Sequence, residues 1–540
     1  MSGPQVLRDS ITGMVAENAT PVLIVGGGMV GLSLAAFLSW HGVRTTLVER
    51  QPTLSPHPRA RGLNPRTMEL LRGLGLEERV RSSESGRTLA RNKGVIAVET
   101  LAGRELGTLR QYFMDHVTDL GELSPTGWCM CHQHELEPVL LEYAAAHGAD
   151  IRLGTELVGL ETGPDGVTAT LRESSSGEER QMGARYLAAA DGPGSEIRAL
   201  LGIGVHGPGT LGRFMNIAFQ ADLTEQLGER RFILCYVMGG PSRCALLPVN
   251  NRDRWMLHVA TGQEDETAFT PERCAELVRA ATGMPGLDVR ILRALPWHPA
   301  ARIADRFGSG RVFLAGDAAH VMPPTGAFGA NTGVQDAHNL AWKLAAVLRG
   351  EAGPGLLDTY DLERRPVAEQ AVEQAVLRHR DRPRLMSERP SEPDPAILAD
   401  EELIFGYRYP SESGTGLAGT RAPHVPLMLN GVPRSTLDLY GRRPVLVAGP
   451  TGEPWRAAAA AGADRLGVRL DVHVITPPAA PGDTWCERHR VGPAGAVLVR
   501  PDGFVAWSAE TLPADPERAV GDALARLLAR VPAFAQEPRS

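Results

Sequence analysis

The chain has no excess of positive charge: 56 Lys and Arg stand against 63 Asp and Glu, for a formal net charge of −7. A protein that binds nucleic acid by neutralising phosphates needs a basic face, so the composition argues against that class. Cysteine is scarce. Cys129, Cys131, Cys235, Cys244, Cys274 and Cys486 are scattered over 540 residues, with no C-x-x-C among them. That excludes a disulfide framework and a dithiol redox pair. Cys129 and Cys131, two apart, would share one face of a strand as reduced core or pocket residues. His132 and His134 flank Gln133, but no third ligand lies nearby in the sequence, so zinc is not expected. No apolar run is long enough to span a bilayer. Residues 1–20 lack the hydrophobic segment of a secretory signal and read as a flexible arm, so a cytoplasmic protein is expected. Aromatic residues make up only 5% of the chain, and each Trp or Tyr near a pocket therefore counts. There is no internal repeat. Only one G-x-G-x-x-G, at 26–31, follows an apolar strand-like run and opens an apolar helix, where a reductase with two dinucleotide domains would carry a second in that setting.

What is present begins with that motif. VLIVGGGMVG at 22–31 is an apolar run followed by Gly26, Gly28 and Gly31 at the dinucleotide-binding spacing. The first glycine makes the strand-to-helix turn, the second lets a pyrophosphate approach the backbone, and the third lets the helix pack on the sheet. Free N–H groups at Met29, Val30 and Gly31 would face the phosphates. Glu49 ends the next apolar run, TTLVE, where a carboxylate can accept from a ribose diol. NAD and FAD both fit this pattern. An ordinary glycine-rich turn is the plainer reading, and the flanking strand, helix and acid count against it.

At 540 residues with 43% hydrophobic content, two or three domains are expected. Residues 21–80 read strand, helix, strand, then a Pro- and Arg-rich loop and a helix, the βαβ order of a parallel sheet. ELEPVLLEYAAAH is an amphipathic helix. IRLGTELVGLET and VTATLRES, split by GPDG, form a hairpin. Between 210 and 297 the texture becomes short strands (FMNIAFQADL, RRFILCYVMG, RCALLPVN, RWMLHVAT) with a helix at 271–283, an antiparallel sheet. RVFLAGDAAH then returns to α/β texture, with Gly316-Asp317 at a strand end. The small residues from Pro323 to Asn331 would sit at a helix N-terminus able to bind a pyrophosphate or the electron-rich edge of a flavin. A proline-broken connecting loop is the plainer alternative. Residues 385–420, rich in Pro, Ser and Glu, read as a linker, followed by a compact αβ unit.

Three segments in this order carry a resemblance. VLIVGGGMVG with Glu49, AAADGPGSEIR at 188–198 and FLAGDAAHVMPPTGAFGANTGVQDAHNLAWKLA at 313–345 resemble the fingerprints of group A flavoprotein monooxygenases, the FAD-dependent aromatic hydroxylases of para-hydroxybenzoate hydroxylase type. SPHPRARGLNPRTMELLR, GWCMCHQHELEPVLL, LPWHPAARIADRF and the tail resemble the subgroup that tailors aromatic polyketides such as anthracyclines and angucyclines. AAADG stands where GADG is usual. GAFG replaces a common GGxG, placing bulky Phe328 where the family often has a small residue beside the flavin.

The resemblance implies an α/β fold in three parts. Residues 21–205 and 298–400 would form a discontinuous Rossmann-like FAD-binding domain, and 206–297 a substrate-binding antiparallel sheet. Residues 401–540 would hold a linker and a thioredoxin-like domain without C-x-x-C. It also implies FAD as cofactor, NADPH or NADH as reductant and O₂ as co-substrate, with hydroxylation through a flavin C4a-hydroperoxide. In that chemistry the cofactor carries the hard step and no protein acid or base is singled out. The substrate would be a polycyclic aromatic polyketide in antibiotic biosynthesis, acted on by a monomer or homodimer. Carried over residue by residue, Gly26, Gly28, Met29, Val30 and Gly31 would hold the pyrophosphate and Glu49 the adenosine ribose. Arg50 and Arg59 would lie near adenine and pyrophosphate, and Gln133 would reach the cofactor from its helix start. Asp191 belongs to a motif used for FAD and NAD(P)H contacts, where its carboxylate can instead orient backbone or Arg59. Gly316 and Asp317 would meet the ribityl chain, and Pro324, Gly326, Gly329, Ala330 and Asn331 the isoalloxazine. Tyr236, His258, Trp297, His298, Arg302 and Phe328 are candidates for the substrate pocket. Plainer readings are core filler for Trp297, a surface loop for His298 and a salt bridge for Arg302. A Baeyer–Villiger or rearranging oxygenase, a non-hydroxylating flavin oxidoreductase and a flavin-binding sequestering protein are the alternatives.

Overall fold

A computed structural model describes residues 19–109, 120–239, 244–385, 394–411, 416–429, 431–475 and 484–530. The arm at 1–20 therefore lies almost wholly outside the described residues. Five parallel strands form the centre of the first sheet, in the order Asp150–Leu153, Thr45–Glu49, Thr20–Val25, Glu179–Ala189 and Val312–Leu314. The central pieces Val22–Val25, Tyr186–Ala189 and Val312–Leu314 are continuous apolar runs because helices cover the sheet there, while the edge strand Asp150–Leu153 is partly exposed. The helix Met29–Trp40 packs against both Gln133–Ala146 and the 21-residue helix Phe328–Leu348. The strand Glu179–Ala189 serves three partners: its first half pairs antiparallel with the hairpin strand Val167–Glu173, and its second half parallel with Thr20–Val25 and with Val312–Leu314.

The second sheet has seven strands, in the order Arg290–Trp297, Phe214–Gln220, Arg254–Ala260, Cys244–Pro248, Leu234–Val237, Val95–Val98 and Glu105–Leu109. One face carries Met215, Ile217, Phe219, Leu257 and Val259 and is closed by Cys274, Leu277 and Val278 of the helix Pro271–Thr282. The expected boundaries at 205 and 206 need correction here. Val95–Val98 pairs in parallel with Leu234–Val237, so two strands from within 21–205 belong to this sheet. VIAV is too short to show a period, and its partner is remote in sequence. Cys129 and Cys131 are free thiols in the core, as expected, although Cys129 makes only an isolated bridge to Leu63 and does not lie in a strand. Both thiols are buried, which raises Cys129 to about 11 and Cys131 to about 12.

A three-stranded ribbon joins the two sheets. Ala300–Ala304, three residues after the end of Arg290–Trp297, pairs with Val205–Thr210 and with His320–Val321. The C-terminal unit has strand order Asp471–Val474, Val445–Ala448, Ala496–Val499, Val505–Ala509, with the first pair parallel and the others antiparallel. Its helices Trp455–Leu466 and Pro516–Leu527 meet closely where Gly462 faces Gly521. With the short helix Thr484–His489 before Ala496–Val499, the order is β-α-β-α-β-β-α, which is thioredoxin-like. The described part of the expected linker is not a free tether: Tyr407 and Tyr409 are buried, and Tyr409 stacks on Phe504 with ring centroids 4.1 Å apart. A buried ionic network ties the unit to the first domain. Glu363 accepts from Lys343 and from both terminal nitrogens of Arg500, each at 2.7 Å, and Arg500 also bonds Asp502.

Candidate FAD and substrate site

The glycine loop divides its roles as its spacing requires. Gly26 has φ +110°, and a Cβ there would lie 2.2 Å from the Ala190 carbonyl oxygen. A Cβ on Gly31 would lie 1.9 Å from the Gly26 carbonyl oxygen. Chain packing thus forces both to be glycine. Around Gly28 the nearest atom to such a Cβ is Glu137 Oε1, at 3.9 Å, so space is open there for a ligand. Gly28 is the N-cap of Met29–Trp40 with no side-chain cap, which leaves the first-turn N–H groups available. Val30 packs where Cβ atoms of Gly316 and Gly333 would lie, locking this helix to the second motif. Glu49 Oε2 accepts from Gly27 N–H at 2.7 Å and Oε1 from Gln51 N–H at 2.8 Å, fixing the carboxylate beside the loop. Arg50 is exposed just beyond it.

Gln133 begins its helix, and its N–H donates to the Ala60 carbonyl at 2.8 Å. Its side chain donates to Glu137 Oε1 at 2.6 Å. Glu137 was not singled out from sequence, although it lies one turn after Gln133 on the same face. It is buried and bonded by the Met29 backbone, and burial raises its carboxyl above the ordinary range while Gln133 and Arg59 pull it back. Arg59 is exposed and its charge reaches both Glu137 and Asp317.

Asp317 is solvent-accessible, yet the protein around it raises its carboxyl, against the pull of His320 and Arg59. Its carboxyl is thus open to solvent on one side and crowded by protein on the other. Behind it Asp336 is fully buried and bonds His320 Nε2 at 2.7 Å, Arg364 Nε at 2.8 Å and Gly316 N–H at 3.2 Å. Burial acts to raise Asp336, and Arg364 and His320 more than reverse it. Sequence reading missed this cluster: Gly316, His320 and Asp336 lie within the third fingerprint, but Arg364 lies outside it and the fold alone brings the four together. Asp191 Oδ2 accepts from Ile197 N–H at 3.2 Å and its shielded Oδ1 has no protein partner. Arg198 of the same motif grips the Ala318 carbonyl at 2.7 Å.

Pro323 to Asn331 leads into Phe328–Leu348, whose N-terminus has no side-chain cap and no acid in its first turn. Pro324 is exposed, and Gly326, Gly329 and Ala330 are half-buried. Asn331 does not offer its side chain to a ligand: Oδ1 accepts from Asn64 N–H at 2.9 Å, and Nδ2 donates to the Gly62 and Ala327 carbonyls at 2.9 and 2.7 Å. It latches the loop to the Gly62–Asn64 segment. Phe328 needs correction as a pocket residue. Ala327 adopts φ +56°, and the ring that follows turns inward against Gly326, Ala371 and Ala375, with the Arg378 guanidinium 5.1 Å from its centroid.

Three pocket candidates share one face of the second sheet. Strand pairing puts Tyr236 opposite Ala245, and Ala245 opposite His258. The His258 ring lies 5.9 Å from that of Trp297, and Trp297 lies 5.5 Å from Phe214. Tyr236 is buried, whereas His258 and Trp297 are half-buried. Arg302 is exposed on the ribbon opposite Val321. His298 is exposed and ion-pairs with Glu266 at 3.0 Å, the surface reading.

These features are those of an FAD-binding oxygenase fold, and comparison with known proteins gives the family. Residues 19–375 match the FAD binding domain family, and 415–531 match the aromatic-ring hydroxylase C-terminal family. The chain belongs to the FAD-dependent aromatic-ring hydroxylases. It is 42% identical to tetracenomycin A2 monooxygenase-dioxygenase of Streptomyces glaucescens, over 96% of this chain and 98% of that protein. It is also 42% identical to 4-methyl-5-nitrocatechol 5-monooxygenase of a Burkholderia species, over 94% and 98%. Among solved structures it resembles aklavinone-11 hydroxylase in complex with FAD and aklavinone, with TM-score 0.87, 38% identity, and 95% and 99% coverage. The chain is an FAD-dependent monooxygenase. Among the described residues no helix is long and apolar enough to cross a membrane.

Proposed function

We propose that the chain hydroxylates a polycyclic aromatic polyketide, with NADPH or NADH as reductant, in the cytoplasm of an antibiotic-producing cell. The observation that carries this reading is the half-open aromatic face of Phe214, His258 and Trp297, whose edge strand ends at Trp297 three residues before the ribbon strand paired with His320–Val321. A flat ring system suits such a face. The residues present fit FAD: the open side of Gly28, the uncapped helix at Met29, the unpartnered Asp191 Oδ1 and accessible Asp317 form a run of ligand-ready groups. Gly26, Gly28 and the N–H groups of Met29, Val30 and Gly31 would hold the pyrophosphate, Glu49 the ribose and Asp317 the ribityl chain. Backbone N–H groups of Gly329 and Ala330 would meet the ring, kept in line by the Asn331 latch. When bound, the reduced flavin supplies the activation of O₂. The chain itself orients the aromatic, holds the loop rigid and limits access of water.

A single-ring catechol is the second reading, favoured by the nitrocatechol relative. Incubation with NADPH and ¹⁸O₂ over a panel of fused-ring phenols and single-ring catechols separates the two. One ¹⁸O in a fused-ring product, placed on carbon by NMR, is expected. Incorporation into catechols alone would replace this reading with the second. A ring-inserted oxygen would make the enzyme a Baeyer–Villiger oxygenase, and a product without ¹⁸O would refute oxygenation of that substrate.

A further inference from the structure

The face of the second sheet turned away from the helix Pro271–Thr282 is not uniform. Over most of its width Ala218, Tyr236, Ala245, Leu247 and Met256 close it as a buried apolar cluster. Toward the ribbon it opens: Phe214, Asn216, His258 and Trp297 are each half-buried. Register places Asn216 opposite His258 on one side and Leu295 on the other, with Phe214 opposite Trp297. Asn216 and Phe214 are two apart on one strand, so they point to the same side. One amide thus lies among three rings. Its Oδ1 is shielded from solvent, and no protein donor reaches it. Shielded polar atoms in folded proteins are almost always paired, so an orphan oxygen beside three half-buried rings calls for a donor from outside the chain, met when the Asn216 side chain turns toward the partly exposed edge.

We infer that Asn216 is a specificity-determining residue whose side-chain oxygen accepts a hydrogen bond from a phenolic O–H of the aromatic substrate, setting the rings in register against Phe214 and Trp297. This rests on the fused-ring reading above. A phenol is the donor that an electron-rich hydroxylase substrate carries. A methyl ether in its place would leave Oδ1 desolvated and unpaired, and sites built around one hydrogen bond reject such analogues strongly.

The test uses the FAD-loaded enzyme without reductant and reads binding from the perturbation of the flavin spectrum. The ligands are hydroxylated anthraquinones and naphthacenequinones, each paired with its mono-O-methyl ethers. Wild type is expected to prefer one free hydroxyl over its ether by about 10- to 100-fold. Asn216→Leu and Asn216→Ala should bind the pair alike, and Asn216→Asp, which keeps an acceptor, should retain the preference. Flavin content and thermal midpoint should stay at wild-type values in at least one of these variants. Retention of the full preference in Asn216→Leu or Asn216→Ala, or its absence from wild type at every hydroxyl, overturns the role of Asn216. Failure of wild type to bind any fused-ring phenol overturns the substrate reading itself.

Discussion

Gly28 and Gly31 are the same residue type three positions apart, yet they answer to different demands. A Cβ at Gly31 would lie 1.9 Å from a backbone oxygen that cannot move aside, while one at Gly28 would have its nearest neighbour at 3.9 Å. Gly31→Ala is therefore expected to damage the fold, by about 1–3 kcal/mol or more, since the clash must be relieved by backbone shifts. Gly28→Ala should leave the melting temperature of the flavin-free protein unchanged but weaken FAD binding at least about tenfold, because the methyl would occupy the approach of the pyrophosphate. Fluorescence titration of stripped protein with FAD, beside thermal melts, distinguishes the two. Equal behaviour of both variants would refute this division of roles. These glycines were legible in the sequence because each steric demand is met by one residue type at a fixed spacing. Glu137 was not legible in the same way: its burial against the Met29 backbone depends on how two helices cross. The inward turn of Phe328 was also hidden, since it follows from the left-handed backbone of Ala327.

At the scale of elements, the cofactor groove is held by side chains that do not face it. Asp336 joins the strand-end segment at Gly316, the ribbon residue His320 and Arg364 of the helix Thr359–Leu385. Asp336 and Arg364 are both fully buried, so removing one charge strands the other. Asp336→Asn is expected to destabilise by about 3–5 kcal/mol, read as a lower urea midpoint, and to yield protein with less bound flavin. A variant of normal stability and full flavin content would refute the bracing role. Many elements could be read in advance: the apolar run before Gly26, the hairpin around GPDG and the strands between 214 and 260 all declare themselves by pattern and turn residues. Val95–Val98 did not, because four apolar residues carry no period and strand pairing across the sequence is set by tertiary packing. Tyr407 and Tyr409 were masked by the Pro- and Ser-rich composition around them, although their rings fasten that segment to Phe504.

For the whole molecule, burial of histidine sets a limit on acid tolerance. His132 and His338 are lowered from 6.5 to about 3 and His489 to about 4, in each case chiefly by burial. A base whose folded value is depressed contributes stability that is complete above its unfolded value of 6.5 and is lost as pH falls below it. Each group withdraws about 1.4 kcal/mol per pH unit in that window. At pH 5 the three together amount to roughly 6 kcal/mol, comparable with the net stability of a domain. Melting temperature is expected to drop steeply between pH 6.5 and 5, before ordinary carboxylates titrate. His132→Gln should flatten the slope, and a flat profile over this range would contradict the buried neutral state. The ribbon of Ala300–Ala304 and His320–Val321 carries a different consequence. The strand Ala300–Ala304, which begins three residues after Trp297, is pinned beside the segment His320–Val321 that enters Pro323. The distance from sheet to loop is thus built into the backbone and does not depend on the side chains that clothe the sheet. Mutation can redraw the face strand by strand while the span from face to loop stays fixed, and under the proposed function that is the span across which oxygen is delivered. One scaffold can then drift among aromatic substrates without having to recalibrate its chemistry.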